Sequence, residues 1–166
     1  TNKDTSTLTQ AEQLYNECLN RNPNHRDCHR ALAVLLVETD RSDKAFTLLK
    51  NWAVRSPQSS DARVELARLY QEYGDTKTAE QQLQQALQLD QSNGDAWTAL
   101  AWLHESKGDY QQALANYQRA YSLNGYSPAL AGRMAALNKK VPGAVGTPAN
   151  SGGTRTVNAA TSLPRY

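Results

Sequence analysis

The sequence predicts an all-α fold: an α-solenoid of helix-turn-helix repeats, a C-terminal capping helix and a flexible tail. Three observations carry this. The chain matches itself without a gap at a shift of 34 residues. Apolar residues recur three and four apart in two stretches per repeat, the mark of a helix with one buried face. The two stretches are parted by Asp40-Arg41, Gly74-Asp75 and Gly108-Asp109, where Gly ends a helix in a left-handed turn and Asp opens the next.

The small residues form columns at this period. Ala33, Ala67, Ala101 and Ala135 make one, and Ala11, Ala45, Ala79 and Ala113 a second. Such positions let helices cross closely, because a larger side chain would separate their axes. Cys18, Trp52, Ala86 and Ala120 make a third, in which Trp52 is the exception and puts the local crossing in doubt. Leu35, Leu69, Leu103 and Leu137 supply the large apolar partners. Pro23 and Pro57 end second helices, and Pro128 after Ser127 fits the first turn of a last helix.

The expected organisation is an N-terminal extension (1–7), a half repeat with only its second helix (8–25), and three repeats (26–59, 60–93, 94–127). A capping helix (128–140) and a tail (141–166) follow. The half repeat leaves Tyr15, Leu14 and Leu19 short of a packing neighbour. That fits a chain cut from a longer protein, or a face that docks a second copy as a homodimer.

The period, the small columns and the run W-T-A-L-A…G-D-Y…A…Y…A from Trp97 to Ala120 resemble the tetratricopeptide repeat family. The resemblance spans most of residues 8–140 and is strongest in the third repeat. It implies a protein-protein interaction module whose concave groove, lined by the first helix of each pair, holds a partner peptide or helix. The implied groove positions are Arg30, Val34, Val37 and Glu38, then Val64, Arg68, Gln71 and Glu72, then Thr98, Trp102, Glu105 and Ser106, with Arg133 from the cap. Trp102 stands out, because Trp97 already fills the family's usual buried aromatic position. Some members grip a chaperone C-terminal carboxylate with a Lys/Asn clamp. The matching positions here hold Arg30, Val34, Glu65, Asp95 and Ala99, so that clamp is absent.

Other classes find little support. The longest apolar run, Ala31 to Val37, is too short to span a membrane. No phosphate-binding, nucleophile-elbow or zinc-protease motif occurs. The expectation is therefore a non-enzyme without cofactor, or a regulatory or assembly domain of a larger protein that could itself be an enzyme. All 16 acidic residues lie in 1–109, and 110–166 holds six basic residues and no acid. Those bases lack the interleaved aromatics of a nucleic-acid surface, so no nucleic acid is expected. The basic tail could fold back along the groove through Val157, Leu163 or Tyr166, occupying it in place of a partner.

Cys18, His25, Cys28 and His29 gather about the turn at Pro23. Three readings stay open: two cysteines at alanine-type packing positions, a disulfide across the turn in an oxidising compartment, or a zinc site whose spacing matches no familiar module. The absent N-terminal Met and the Lys-poor surface fit a secreted or periplasmic chain, and a cytoplasmic fragment fits too.

Overall fold

A computed structural model describes residues 2–141. They form α1 (Asn2–Arg21), α2 (Arg26–Glu38), α3 (Ser42–Arg55), α4 (Ser60–Glu72), α5 (Thr76–Leu89), α6 (Gly94–Ser106), α7 (Tyr110–Asn124) and α8 (Pro128–Asn138). No strand occurs among the described residues.

The 34-residue period reaches the helix caps. His25, Ser59, Asn93 and Ser127 occupy one column, and each precedes a first helix. Their side chains accept hydrogen bonds from the backbone N–H of Cys28, Ala62, Ala96 and Leu130 respectively. Each bond satisfies a donor that the helix itself cannot. The opposite ends also repeat. Asp40, Gly74 and Gly108 have φ of 56°, 77° and 83°, so all three turns need the left-handed region, and the first obtains it from Asp rather than Gly.

Each helix pair packs through its alanines. Ala45, Ala67, Ala79, Ala101 and Ala113 are fully buried. Helix α4 touches α2, α5 and α6, whereas α3, α5 and α7 make no comparable contact with one another among the described residues. The first helices therefore crowd together and the second helices splay, which curves the array with α2, α4 and α6 on its inner face.

Several expectations need adjusting. Residues 2–7, expected to form an extension, run on into α1, which is helical from Asn2; no Pro or Gly interrupts the stretch up to Arg21. Trp52 does not force helices apart. It is 1% exposed and fits because it lies flat on His29 of α2, with its Nε1 donating to Asn24 Oδ1 at 3.2 Å. Trp97, expected to be buried, is only partly so, and its Nε1 donates to the Gln91 carbonyl. The open side of α1 leaves Leu14 64% exposed while Tyr15 and Leu19 pack against the first core cluster. Val141, assigned to the tail, is buried; the rest of the tail, including Val157, Leu163 and Tyr166, lies outside the described residues.

Candidate functional site

The inner face carries three clefts in a row. The first, about 510 Å³, lies between α1 and α2 and includes Tyr15, Arg30, Val34 and Glu38. The second, about 160 Å³, lies between α2 and α4. Its lining includes Arg30, Val34, Val37, Arg68, Leu69 and Glu72. The third, about 200 Å³, lies between α6 and α8 and is lined by Trp102, Glu105, Ser106, Tyr110, Arg133 and Lys140.

Most sequence-assigned groove positions line these clefts, but three do not act as open surface. Val64 is fully buried. It packs in the second core cluster with Ala67, Ala96 and Ala99, because α4 has an inner helix on each side where α2 has only one. Gln71 bridges helices, its Nε2 donating to the Ala99 carbonyl at 3.0 Å. Thr98 turns its hydroxyl back to the Gly94 carbonyl at 2.8 Å. Glu105 lines the third cleft yet is already engaged. Its Oε2 accepts from Tyr117 Oη at 3.0 Å and from Arg133 Nε at 2.7 Å. Burial, with the bond to Glu105, pushes the Tyr117 phenol above its ordinary range, so it stays a donor. The hydrogen bond to Glu105 likewise raises Arg133. This triad fastens the capping helix to the helix that carries Trp102.

Trp102 is 49% exposed and Val34 48%. They lie on α2 and α6, the two outer members of the row of inner helices. An ion network centred on Arg26 joins the N-terminal ends of α2, α4 and α6. Its Nε donates to Glu65 Oε1 at 2.8 Å and its Nη1 to Asp95 Oδ2 at 2.6 Å, with Asp61 3.5 Å away. One side chain of the first repeat thus ties together the second and third. Burial works against the charge on Arg26, but the bonds to Asp95 and Glu65 outweigh it, and its pKa rises. Glu65 is 3% exposed, a buried carboxylate made tolerable by its partner.

At the N-terminal end a disulfide joins Cys18 of α1 to Cys28 of α2, with their Cα atoms 6.4 Å apart, within the span such a bond needs. His25 lies beside it, all three potential ligand atoms falling within 4.8 Å of one another. With both sulfurs bonded to each other, this set offers a metal no thiolate.

Residues 1–142 match the family model of the Tetratricopeptide repeat protein 21 C-terminal ARM domain. The chain belongs to this tetratricopeptide-type family. No curated protein gives a significant match. Among solved structures this tetratricopeptide domain is similar to TTC0263, a thermophilic TPR protein of Thermus thermophilus. The TM-score is 0.66 at 23% identity, over 81% of this chain and 74% of that one. It is also similar to PilF of Pseudomonas aeruginosa, with TM-score 0.66 at 21% identity, over 82% and 63%. The first TPR of Spaghetti (RPAP3), solved with an HSP90 peptide, aligns at TM-score 0.62 and 13% identity, over 69% and 94%. At these identities the likeness establishes the fold. No helix among the described residues is long and apolar enough to cross a membrane.

The residues that sequence reasoning missed in this tetratricopeptide domain are those of the Arg26 network. Arg26, Asp61 and Asp95 fall in first turns, where acids also suit the helix dipole, and nothing local marked them as partners. The one available signal was Glu65, an acid amid the apolar face of α4.

Proposed function

We propose that the chain is a protein-binding module that holds a segment of a partner protein along the inner face of the repeat array. The observation that carries this is Trp102, a half-exposed indole at the mouth of a cleft on the concave side. Exposed tryptophans set in a cleft and ringed by polar groups are what protein interfaces use as anchors. Here the ring is Glu105, Ser106 and Arg133, held rigid by the Tyr117–Glu105–Arg133 triad. Val34 at the far end offers a second apolar contact. The peptide complex of the Spaghetti TPR supports the reading that an array of this shape can hold an extended segment. This chain lacks the Lys/Asn clamp, so the chaperone peptide is not carried over with the shape.

The test is a binding measurement on partners captured from the native source. A partner held by the groove binds the wild-type chain and is lost on Trp102→Ala, while the variant's thermal midpoint stays within a few degrees. Full retention of the partner by Trp102→Ala would remove the indole from the function. Unfolding of that variant would instead mark Trp102 as core.

A further inference from the structure

Three positions about the turn from α1 to α2 break the 34-residue columns, and they meet at one spot. Where the later repeats carry Trp52, Ala86 and Ala120, α1 has Cys18; where they carry Ala62, Ala96 and Leu130, α2 has Cys28. Where they cap a first helix with Ser59, Asn93 and Ser127, the turn before α2 has His25. One potential ligand atom from each of Cys18, His25 and Cys28 lies within 4.8 Å of the others, and all three residues are partly buried.

The disulfide accounts for the two cysteines and leaves His25 unexplained. Histidine is not among the preferred caps, and its Nδ1 stands 3.4 Å from the Cys28 nitrogen, too long for a strong bond. Ser or Asn would serve the backbone better. What a histidine adds beside two cysteines is a third donor of the kind that zinc takes. The reach also suits the ion: with about 2.3 Å from zinc to each thiolate, a tetrahedral arrangement puts the two sulfurs ~3.8 Å apart. Cys28 lies in the first turn of α2, where the helix dipole favours a thiolate. Two thiolates and a neutral imidazole balance the charge of Zn2+, so the set needs no further acid.

We infer that the turn between α1 and α2 is a redox-dependent zinc site, in which Cys18, Cys28 and His25 bind Zn2+ once the disulfide is reduced. The reductant is a dithiol. One of its thiolates attacks a sulfur of the Cys18–Cys28 bond, and its second sulfur then displaces the remaining cysteine. The dithiol leaves as a disulfide, having given two electrons and two protons to the cysteines. Zn2+ next displaces the two thiol protons, and His25 binds through a ring nitrogen. The fourth position of the tetrahedral ion is left to water. Either link, covalent or metal, fastens α1 to α2, so the N-terminal end of the array keeps a staple in oxidising and in reducing surroundings. The inference is independent of the groove reading.

The experiment uses the full chain, untagged, reduced with a phosphine and titrated with Co2+ as a spectroscopic stand-in for zinc. Reduced wild type should develop the near-ultraviolet sulfur-to-cobalt charge-transfer band and the visible bands of a tetrahedral ion, saturating at a single ion per chain. Zn2+ should displace the cobalt and bleach them, and the oxidised chain should show neither. His25→Ser keeps a capping hydroxyl like that of Ser59 and Ser127, so it tests the ligand apart from the fold. It should weaken zinc binding by at least about tenfold, a loss seen even for an outer-shell partner. Zinc should also raise the thermal midpoint of the reduced wild type and not that of reduced Cys28→Ser. Circular dichroism checks that both variants keep their helices; if either loses them, the spectrum of reduced wild type decides alone. No charge-transfer band in reduced wild type would overturn the inference. So would His25→Ser binding zinc as tightly as wild type, which would leave only a chance pair of thiolates.

Discussion

The indole of Trp52 lies on the imidazole of His29, with ring centroids 4.0 Å apart and planes 8° from parallel. The pair closes the core beneath the disulfide turn. Trp52 Nε1 and Ser56 Oγ both reach Asn24 Oδ1, and His29 Nδ1 meets the His25 carbonyl at 3.1 Å.

That stack makes stability depend on pH. Burial lowers the pKa of His29; the contact with the His25 carbonyl opposes this, while Arg55 and the His25 ring reinforce it. The unfolded chain therefore takes up a proton at a higher pH than the folded one. The stability contributed by neutral His29 is fully present above the unfolded pKa of about 6.5 and is lost as pH falls through the lower folded value. Urea midpoints should drop between pH 7.5 and 5 by more in the wild type than in His29→Phe. Parallel pH profiles for the two proteins would assign the loss elsewhere.

The Cys18–Cys28 bond closes a loop with a sequence separation of 10. For a loop that short the chain-entropy model assigns about 2–3 kcal/mol. Reduction should lower the thermal midpoint without removing the helices of the later repeats, since the bond lies between α1 and α2 and the later helices bury their apolar faces against one another. Melts with and without a phosphine reductant, followed by fluorescence in a Trp97→Phe, Trp102→Phe background where Trp52 is the remaining indole and by far-UV dichroism, check both halves of the statement.

Asp40 occupies a left-handed turn that its counterparts fill with Gly74 and Gly108. A side chain there costs about 1 kcal/mol, less for Asp than for most residues. Asp40→Gly should raise stability by roughly 0.5 kcal/mol, the strain relieved being partly offset by backbone entropy. Gly74→Ala meets nothing within 4 Å, yet should lose about 1 kcal/mol from φ alone. Chemical denaturation of the three proteins orders them, and a destabilised Asp40→Gly would contradict the argument.

Glu65 is buried but its partner Arg26 keeps 24% of its side chain exposed. Removing one member of a fully buried pair costs about 3–5 kcal/mol. With Arg26 partly solvated, and still bonded to Asp95, Glu65→Ala should cost about 2 kcal/mol. A double-mutant cycle with Arg26→Ala measures the coupling directly. Coupling below about 0.5 kcal/mol would mean that solvent replaces the pair at little cost.

Much of the architecture was legible in the sequence. The period, the turn at Gly74 and Gly108, the alanine crossings and the Ser127-Pro128 start of the last helix are all local or periodic features. The candidate site was less legible. Arg30, Val34, Arg68 and Trp102 line the inner clefts, whereas Val64 occupies the same column as Arg30 and is core. Position within a repeat cannot tell an end helix from a middle one, and only the middle one is covered on both sides.

The amino-acid sequence by itself determined that this chain is a stack of helix pairs, because helix periodicity, caps and turn residues act within a few residues of one another. The tertiary structure alone decided which charges are spoken for. Arg26 meets Glu65 across 39 positions and Asp95 across 69, and Glu105 meets Arg133 across 28. Those pairings depend on how far the array curves, a sum of small rotations between repeats that no single repeat encodes.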